Sequence, residues 1–315
     1  MDNSKLNVRN IYIDLLEKMK ALDAVDQAYI DHLISLVRQD IGLIDSEVTA
    51  IEALIPEGAT AENKLATNAD LPIYDGSGSH NNIYRGKNLG SQVTSDQWAA
   101  IQSGDFTDLF IGDYWEINSV KWRIAHFDYF MGIGNTAVTD HHIVIVPDSS
   151  LYNTTMNTSN STVGGYYNSK MHGGENYLVS GESNLYTAKT TIDSAFGSTH
   201  ILSHTELLTN AITDGVASGY SWYDTYVDLL SELMVLGTSI MSYAGKNYEC
   251  GIDKNQLSLF RLNSNMIDNG SAWWVRNITS SANFGILYTT GPVSSAGAGS
   301  SNGVRPYFAI YNPTT

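Results

Sequence analysis

The 315-residue chain is long enough for one large domain or two smaller ones with a real core. Charged residues make up 16% of it and hydrophobic ones 43%, which excludes a disordered chain. With 17 Lys and Arg against 33 Asp and Glu, the net charge of -16 speaks against a nucleic-acid or anionic-lipid partner.

A single cysteine, Cys250, excludes an intramolecular disulfide framework and a cysteine-based zinc cluster, so packing or association must stabilise the fold. No apolar run reaches the roughly 20 residues of a membrane span. Met1 to Asn10 are too polar for a secretory leader, and a soluble chain made in the cytoplasm is expected.

Charged side chains crowd into residues 1–55, a stretch without proline and with one glycine, Gly42, so it reads as helix. Pro56-Glu57-Gly58 ends it, because proline removes a backbone donor and glycine accepts a left-handed turn. Within this helix Ile30, Ile34, Val37, Ile41, Ile44, Val48, Ile51 and Ile55 follow one another at alternating steps of four and three residues. That is the coiled-coil period, and every position is β-branched. Isoleucine at both seam positions favours three strands over two, so a parallel homotrimer is expected, with a rod about 39 Å long. Ile11, Leu15, Met19, Leu22, Val25 and Tyr29 are spaced more broadly, as a stripe facing a globular surface or a second short helix. A single-chain helix packed on the C-terminal domain is the alternative.

Residues 57–110 read as a connector. Ala59 to Pro72 is small and polar, and Asp75-Gly76-Ser77-Gly78-Ser79 has the composition of a flexible turn. Thr94-Ser95-Asp96 offers an N-cap for a short helix through Trp98 and Ile101, ending near Gly104. From Phe110 the style is β. Tyr114 to Ile117 and Val120 to Ile124 flank Asn118-Ser119 as a hairpin, and His142 to Val146 is a buried strand stopped by Pro147. Helices are expected over 187–196, over 203–211 behind a Ser203-His204-Thr205-Glu206 capping box, and over 222–241. Strands return over 272–276, 284–288 and 304–310, separated by Gly, Ser and Ala loops, which makes an α+β body of residues 111–315.

Trp273-Trp274-Val275-Arg276, then Phe284-Gly285-Ile286-Leu287, a turn at Gly291 and the closing Gly303-Val304-Arg305-Pro306-Tyr307-Phe308-Ala309-Ile310 carry a resemblance. They resemble the end of phage and bacterial proteins with a C-type-lectin-like domain, a fold shared with formylglycine-generating enzymes and with the variable proteins of diversity-generating retroelements. Ile83 to Gly90 and Ile111 to Ile117 are similar to segments of phage structural proteins with this domain, so the resemblance covers about residues 83–315. It implies that the loop between the tryptophan strand and the Gly-Val-Arg-Pro strand forms an exposed binding surface. By position that surface holds Asn277, Thr279, Ser280, Ser281, Asn283, Tyr288, Thr289, Thr290, Ser294, Ser295 and Asn302. Serine and asparagine supply adaptable hydrogen bonds and tyrosine supplies rigid contact area; a merely solvated loop is the plain alternative. Trp274, Arg276, Arg305 and Pro306 are expected to be structural. In so charge-poor a region the two guanidinium forks should be buried and pin carbonyls or carboxylates, and Pro306 should sit where a strand edge needs no donor.

Chemistry finds little support. His200 and His204 are four residues apart, but no glutamate lies between them in a His-Glu-x-x-His arrangement, so no metal is expected. His141 and His142 precede a strand and alternate in direction, so one is expected in the core or at an edge. The formylglycine-generating branch works with paired cysteines where this chain has Cys250 alone, and the calcium-binding motifs of animal lectins are missing. No catalytic residue or cofactor is therefore expected. Asn153, Asn157, Asn160, Asn269 and Asn277 open Asn-x-Ser/Thr triplets, read as part of an Asn/Ser/Thr-rich surface, with Thr154 to Gly165 as a long exposed loop.

The expected protein is a phage virion fibre or appendage. Residues 1–56 attach it to other virion proteins and trimerise, 57–110 connect, and a C-type-lectin-like head over 111–315 binds a host-surface protein or neutral glycan. Three linked heads would turn weak contacts into strong attachment. A head-decorating fibre that binds nothing, and an enzyme of the formylglycine-generating fold, are the alternatives.

Overall fold

The computed structural model describes residues 10–11, 13–15, 31–42, 76–238, 255–288 and 293–314. Contacts divide the chain into two units, Met1–Tyr74 and Asp75–Thr315. In the first, residues 31–42 are helical. Of the side chains at the seam spacing, Ile34 is buried and Val37 and Ile41 are half-buried; beside them Leu33 is half-buried too, and Leu36 is exposed. Ile30, Ile44, Val48, Ile51 and Ile55 lie outside the described residues, and a long stalk is not shown over the length of the seam. Among the described residues no helix is long and apolar enough to cross a membrane.

The second unit is α+β and mostly sheet, with strands β1 to β13 in chain order. One sheet has six strands in the order β1 (Asn88–Gly90), β2 (Tyr114–Ile117), β3 (Val120–Phe127), β4 (Ile143–Pro147), β13 (Pro306–Ile310) and β8 (Val227–Leu229). Another has five, in the order β11 (Val293–Gly297), β10 (Asn283–Leu287), β9 (Trp273–Ile278), β12 (Asn302–Val304) and β5 (Tyr152–Thr154). A two-stranded ribbon joins β6 (His204–Thr213) to β7 (Val216–Thr225).

Local chemistry explains the first elements. Thr94 caps the helix Ser95–Ser103 in a reciprocal box: its hydroxyl accepts the Gln97 N–H at 3.3 Å while the Gln97 side chain accepts the Thr94 N–H at 3.0 Å. Gly104 ends the helix in the left-handed conformation at φ 74°. Asn118 and Ser119 both have positive φ, 53° and 64°, as a two-residue turn needs if it is to match the twist of the strands β2 and β3. β4 is buried along its whole length because it lies inside the sheet. Trp122 on β3 meets Phe196 of the helix Leu185–Phe196 and Phe308 of β13 edge to face, with centroids 5.7 and 5.5 Å away, and this holds helix and sheet together.

Several expectations are corrected. Residues 203–211 are not helix but lie in the ribbon, and residues 222–241 divide among β7, β8 and the short helix Glu232–Leu236, with 239–241 outside the described residues. The Ser203-to-Glu206 box does not form because Glu206 and His204 are drawn into the core by the partners described below. Gly76–His80 is a turn of helix rather than a loop, with His80 buried against Leu109 and Phe110. Within 57–110, Ile101, Phe106 and Leu109 all enter the main core. Thr154 to Gly165 is only partly exposed: Met156 and Thr162 are buried.

Candidate functional site

The two tryptophans of β9 point to opposite faces, as strand periodicity requires. Trp273 enters the core of the six-stranded sheet and Trp274 enters a second core with Met156, Tyr166 and Phe284. Their indole N–H groups donate to the carbonyls of Ile267 (3.1 Å) and Thr154 (2.9 Å), so both rings are fixed in place. The expected binding surface starts where this rigid strand ends.

Several of its side chains are engaged by the fold. Asn277 accepts the Glu232 N–H through Oδ1 at 2.6 Å. Thr279 closes the β9–β10 turn, its N–H and hydroxyl donating to the Asn283 carbonyl at 3.0 and 3.2 Å. Ser280 Oγ accepts the N–H groups of Ala282 and Asn283 at 3.2 and 3.1 Å. From outside the loop, Thr162 donates its hydroxyl to the Ser280 carbonyl at 2.9 Å and its N–H to the Ser281 carbonyl at 3.0 Å. Asn160 Oδ1 accepts the Gly299 N–H at 2.9 Å, and the Asn157 N–H donates to the Ala298 carbonyl at 2.8 Å. The segment read as a free loop is therefore the brace of the neighbouring one. What remains outward is Ser281 and Tyr288, the latter 43% exposed, with Asn283, Ser294, Ser295 and Asn302 half-buried. Thr289 and Thr290 lie outside the described residues.

Beneath this surface Arg276 is buried and gathers a charged cluster. Its Nη2 donates to Glu206 Oε2 at 2.8 Å and its Nη1 to Asp228 Oδ2 at 3.1 Å. Tyr307 donates its hydroxyl to Glu206, and Tyr166 donates its own to Asp228. Burial raises the Glu206 carboxyl, but the Arg276 guanidinium, His204 and the Tyr307 hydroxyl together outweigh it and hold the group at about 2. At Asp228 burial wins over the same guanidinium and pushes the carboxyl up to about 6. The arrangement is one cation shared by two carboxylates of unequal acidity, with the more acidic one ion-paired at neutral pH. Arg276 does pin carboxylates, as expected. Glu206, Asp228, Tyr166 and Tyr307 were missed as its partners because they are far from it in sequence and Glu206 was read as a cap residue.

Arg305 is 1% exposed and donates to carbonyls only, from Nε to Pro147 and from Nη1 to Met266, both at 2.8 Å. Its guanidinium also lies over the Trp273 and Phe260 rings, 5.1 and 5.5 Å from their centroids. Burial brings its pKa down to about 10. Pro306 opens β13 opposite Leu229 of β8, in the interior of the sheet rather than at an edge; the β4 pairing begins at Phe308.

His200 and His204 do not share a helix face. His200 stacks on Trp98, 4.0 Å between centroids, and His204 is buried against Phe130 at 3.8 Å. Of the adjacent pair, His142 is buried in the core, and His141 is partly exposed with Nδ1 2.8 Å from Asp128. Among the described residues no group of three or more His, Cys, Asp or Glu is placed to hold a metal ion. Cys250 lies outside the described residues. No protein-family model matches the chain, and no curated protein or solved structure matches it either.

Proposed function

We propose that the chain is a phage virion fibre or appendage protein whose C-terminal, C-type-lectin-like head carries the 277–302 surface to a receptor on the host cell, with three copies joined through the Ile30-to-Ile55 seam. The observation that carries this reading is the bracing of that surface. Thr162, Asn160 and Asn157 hold the backbone of Ser280, Ser281, Ala298 and Gly299, while Ser281 and Tyr288 stay outward. A polar surface with an immobilised backbone loses little entropy when it binds, which favours recognition over plain solvation. Linking three such heads raises the effective concentration of the second and third contacts. The net charge of -16 repels anionic envelopes at long range, so a protein or a neutral glycan is the favoured receptor.

The test uses the fluorescently labelled full chain and intact cells of the host lineage. Replacing Ser281, Asn283, Tyr288 and Ser295 together by alanine should lower cell binding by about 10-fold or more, since aromatic anchors dominate such surfaces, without changing the melting temperature. Equal binding by the variant would leave the decorating-fibre reading in its place. In that case phage whose protein lacks residues 112–315 should still adsorb.

A further inference from the structure

The segment 255–262 belongs to no strand ladder and is held to the rest of the second unit by single bonds. Tyr129 donates its hydroxyl to the Asn255 carbonyl at 2.8 Å, Gln256 donates its amide to the Val235 carbonyl at 2.7 Å, and the Leu257 N–H donates to the Met234 carbonyl at 2.8 Å. Arg261 reaches the Asn81 carbonyl at 2.7 Å and Asn82 Oδ1 at 3.1 Å. Leu257, Leu259 and Phe260 are buried in the main core. One bond differs in kind: the N–H of Ser258, the first residue of the helix Ser258–Leu262, donates to Nδ1 of His126 on β3 at 3.1 Å.

That bond fixes the state of the ring. A main-chain N–H can only donate, so Nδ1 is a bare lone pair, and a neutral imidazole of this kind carries its hydrogen on Nε2. A second proton has only Nδ1 to go to. Protonation of His126 and the Ser258 bond therefore exclude one another. Burial opposes a charged ring here, and the charges around it add to that opposition: the Arg261 guanidinium from the held segment and His142 from the approach to β4. Among the described residues no carboxylate acts in its favour. Asp128, two residues on, is engaged by His141 Nδ1 at 2.8 Å and by the His142 N–H at 3.0 Å. Tyr129, whose ring meets His126 edge to face at 5.0 Å between centroids, carries no charge at neutral or acid pH.

We propose that segment 255–262 is an acid-released latch: uptake of one proton by His126 breaks the Ser258 bond, and the segment leaves β3, carrying Arg261 away from the new charge and baring Leu257, Leu259 and Phe260. In the open form water reaches the imidazole and the guanidinium is distant, so the protonated ring favours open over closed, and that difference drives release. Neither sheet loses a ladder bond, so opening does not require the whole unit to unfold. The latch is separate from the 277–302 surface and does not depend on what that surface binds.

Hydrogen exchange of the full chain, read by mass spectrometry from pH 8 to pH 5 and corrected for the intrinsic exchange rate, tests the latch. An imidazole that titrates near 6.5 when open and stays neutral when closed raises the opening equilibrium of 255–262 about 30-fold across that range. At pH 5 these amides should exchange ahead of those in β4 and β13, which need global unfolding. His126→Asn puts an amide oxygen where Nδ1 lies and cannot take up a proton, so its opening should stay at the neutral wild-type level at every pH. His126→Phe removes the acceptor as well, and its opening should be equally flat but about 10-fold higher, the loss of one buried hydrogen bond. A wild-type equilibrium that does not rise, a rise that persists in both variants, or amides of 255–262 that never exchange ahead of β4 and β13 would overturn the proposal.

Discussion

Arg305→Ala should destabilise the second unit, and the size of the effect follows from what the guanidinium touches. Its removal leaves the carbonyls of Pro147 and Met266, which both accept from it at 2.8 Å, without these donors in a site that is 1% exposed. Each orphaned acceptor costs about 1–3 kcal/mol. Losing the guanidinium from over the Trp273 and Phe260 rings adds about 1 kcal/mol, and losing the buried stem adds about 0.8 kcal/mol per methylene. Against this stands the recovered cost of keeping a cation out of water, visible in the drop of its pKa to about 10. The balance is about 3 kcal/mol, and with about 2–4 °C per kcal/mol in a domain of this size the midpoint should fall by roughly 6–12 °C. Arg305→Lys should lie between, because an ammonium reaches one carbonyl but cannot fork to two or lie flat on the indole. Calorimetric melts of the wild type and both variants, matched by urea titrations, give the comparison. A midpoint within about 1 °C of wild type for Arg305→Ala would refute the account of this residue as a carbonyl clamp.

Acid should destabilise the fold from about pH 6.5 downward. Burial holds His126 and His172 at about 3 and His142 at about 4, so their unfolded counterparts, near 6.5, take up protons that the folded chain refuses. The stability they contribute is whole above that range and is lost as pH falls toward 4 and 3. Asp228, raised to about 6, works the other way, since its contribution is whole below 3.8 and is lost as pH rises through 6. The net slope between pH 6 and 5 is about 2–3 kcal/mol per pH unit, to be read from urea midpoints, and a flat profile would contradict it. Gly165→Ala places a Cβ 2.3 Å from the Thr209 carbonyl at φ +72°, whereas Gly181→Ala at φ +79° meets nothing within 4 Å. The first should cost about 3 kcal/mol and the second about 1, and equal melting temperatures would show that Gly165 is not a point of close approach. Light scattering at micromolar concentration should give three times the chain mass, reduced by Ile34→Lys/Ile41→Lys; a monomeric mass for the wild type removes the trimer.

Elements with local causes were legible in the sequence. The Thr94 box, the Asn118-Ser119 turn and the uniformly apolar β4 depend on neighbours a few residues away, and each lies where its residues place it. The ribbon was not legible from its first residues, because Ser203 to Glu206 spells a helix start and only long-range partners forbid it. A signal was present further on. Asp214-Gly215, both at positive φ in the tip, sits between segments rich in threonine and aromatic residues, which is the strongest short-range mark of a hairpin. At the candidate surface the residue types were readable, but their engagement was not. That Asn277 accepts the Glu232 N–H, or that Thr162 clamps Ser280 and Ser281, depends on segments 45 and 118 residues away.

β13 follows every other strand among the described residues, yet it lies between β4 and β8, with Phe308 opposite Ile145 on one side and Val227 on the other. Synthesis delivers both of its neighbours before the piece that joins these two parts of the sheet. Until then β4 and β8 present unmatched edges, the kind of interval in which nascent chains aggregate or recruit chaperones. A message truncated before codon 306 should accordingly give insoluble product, not a smaller working version.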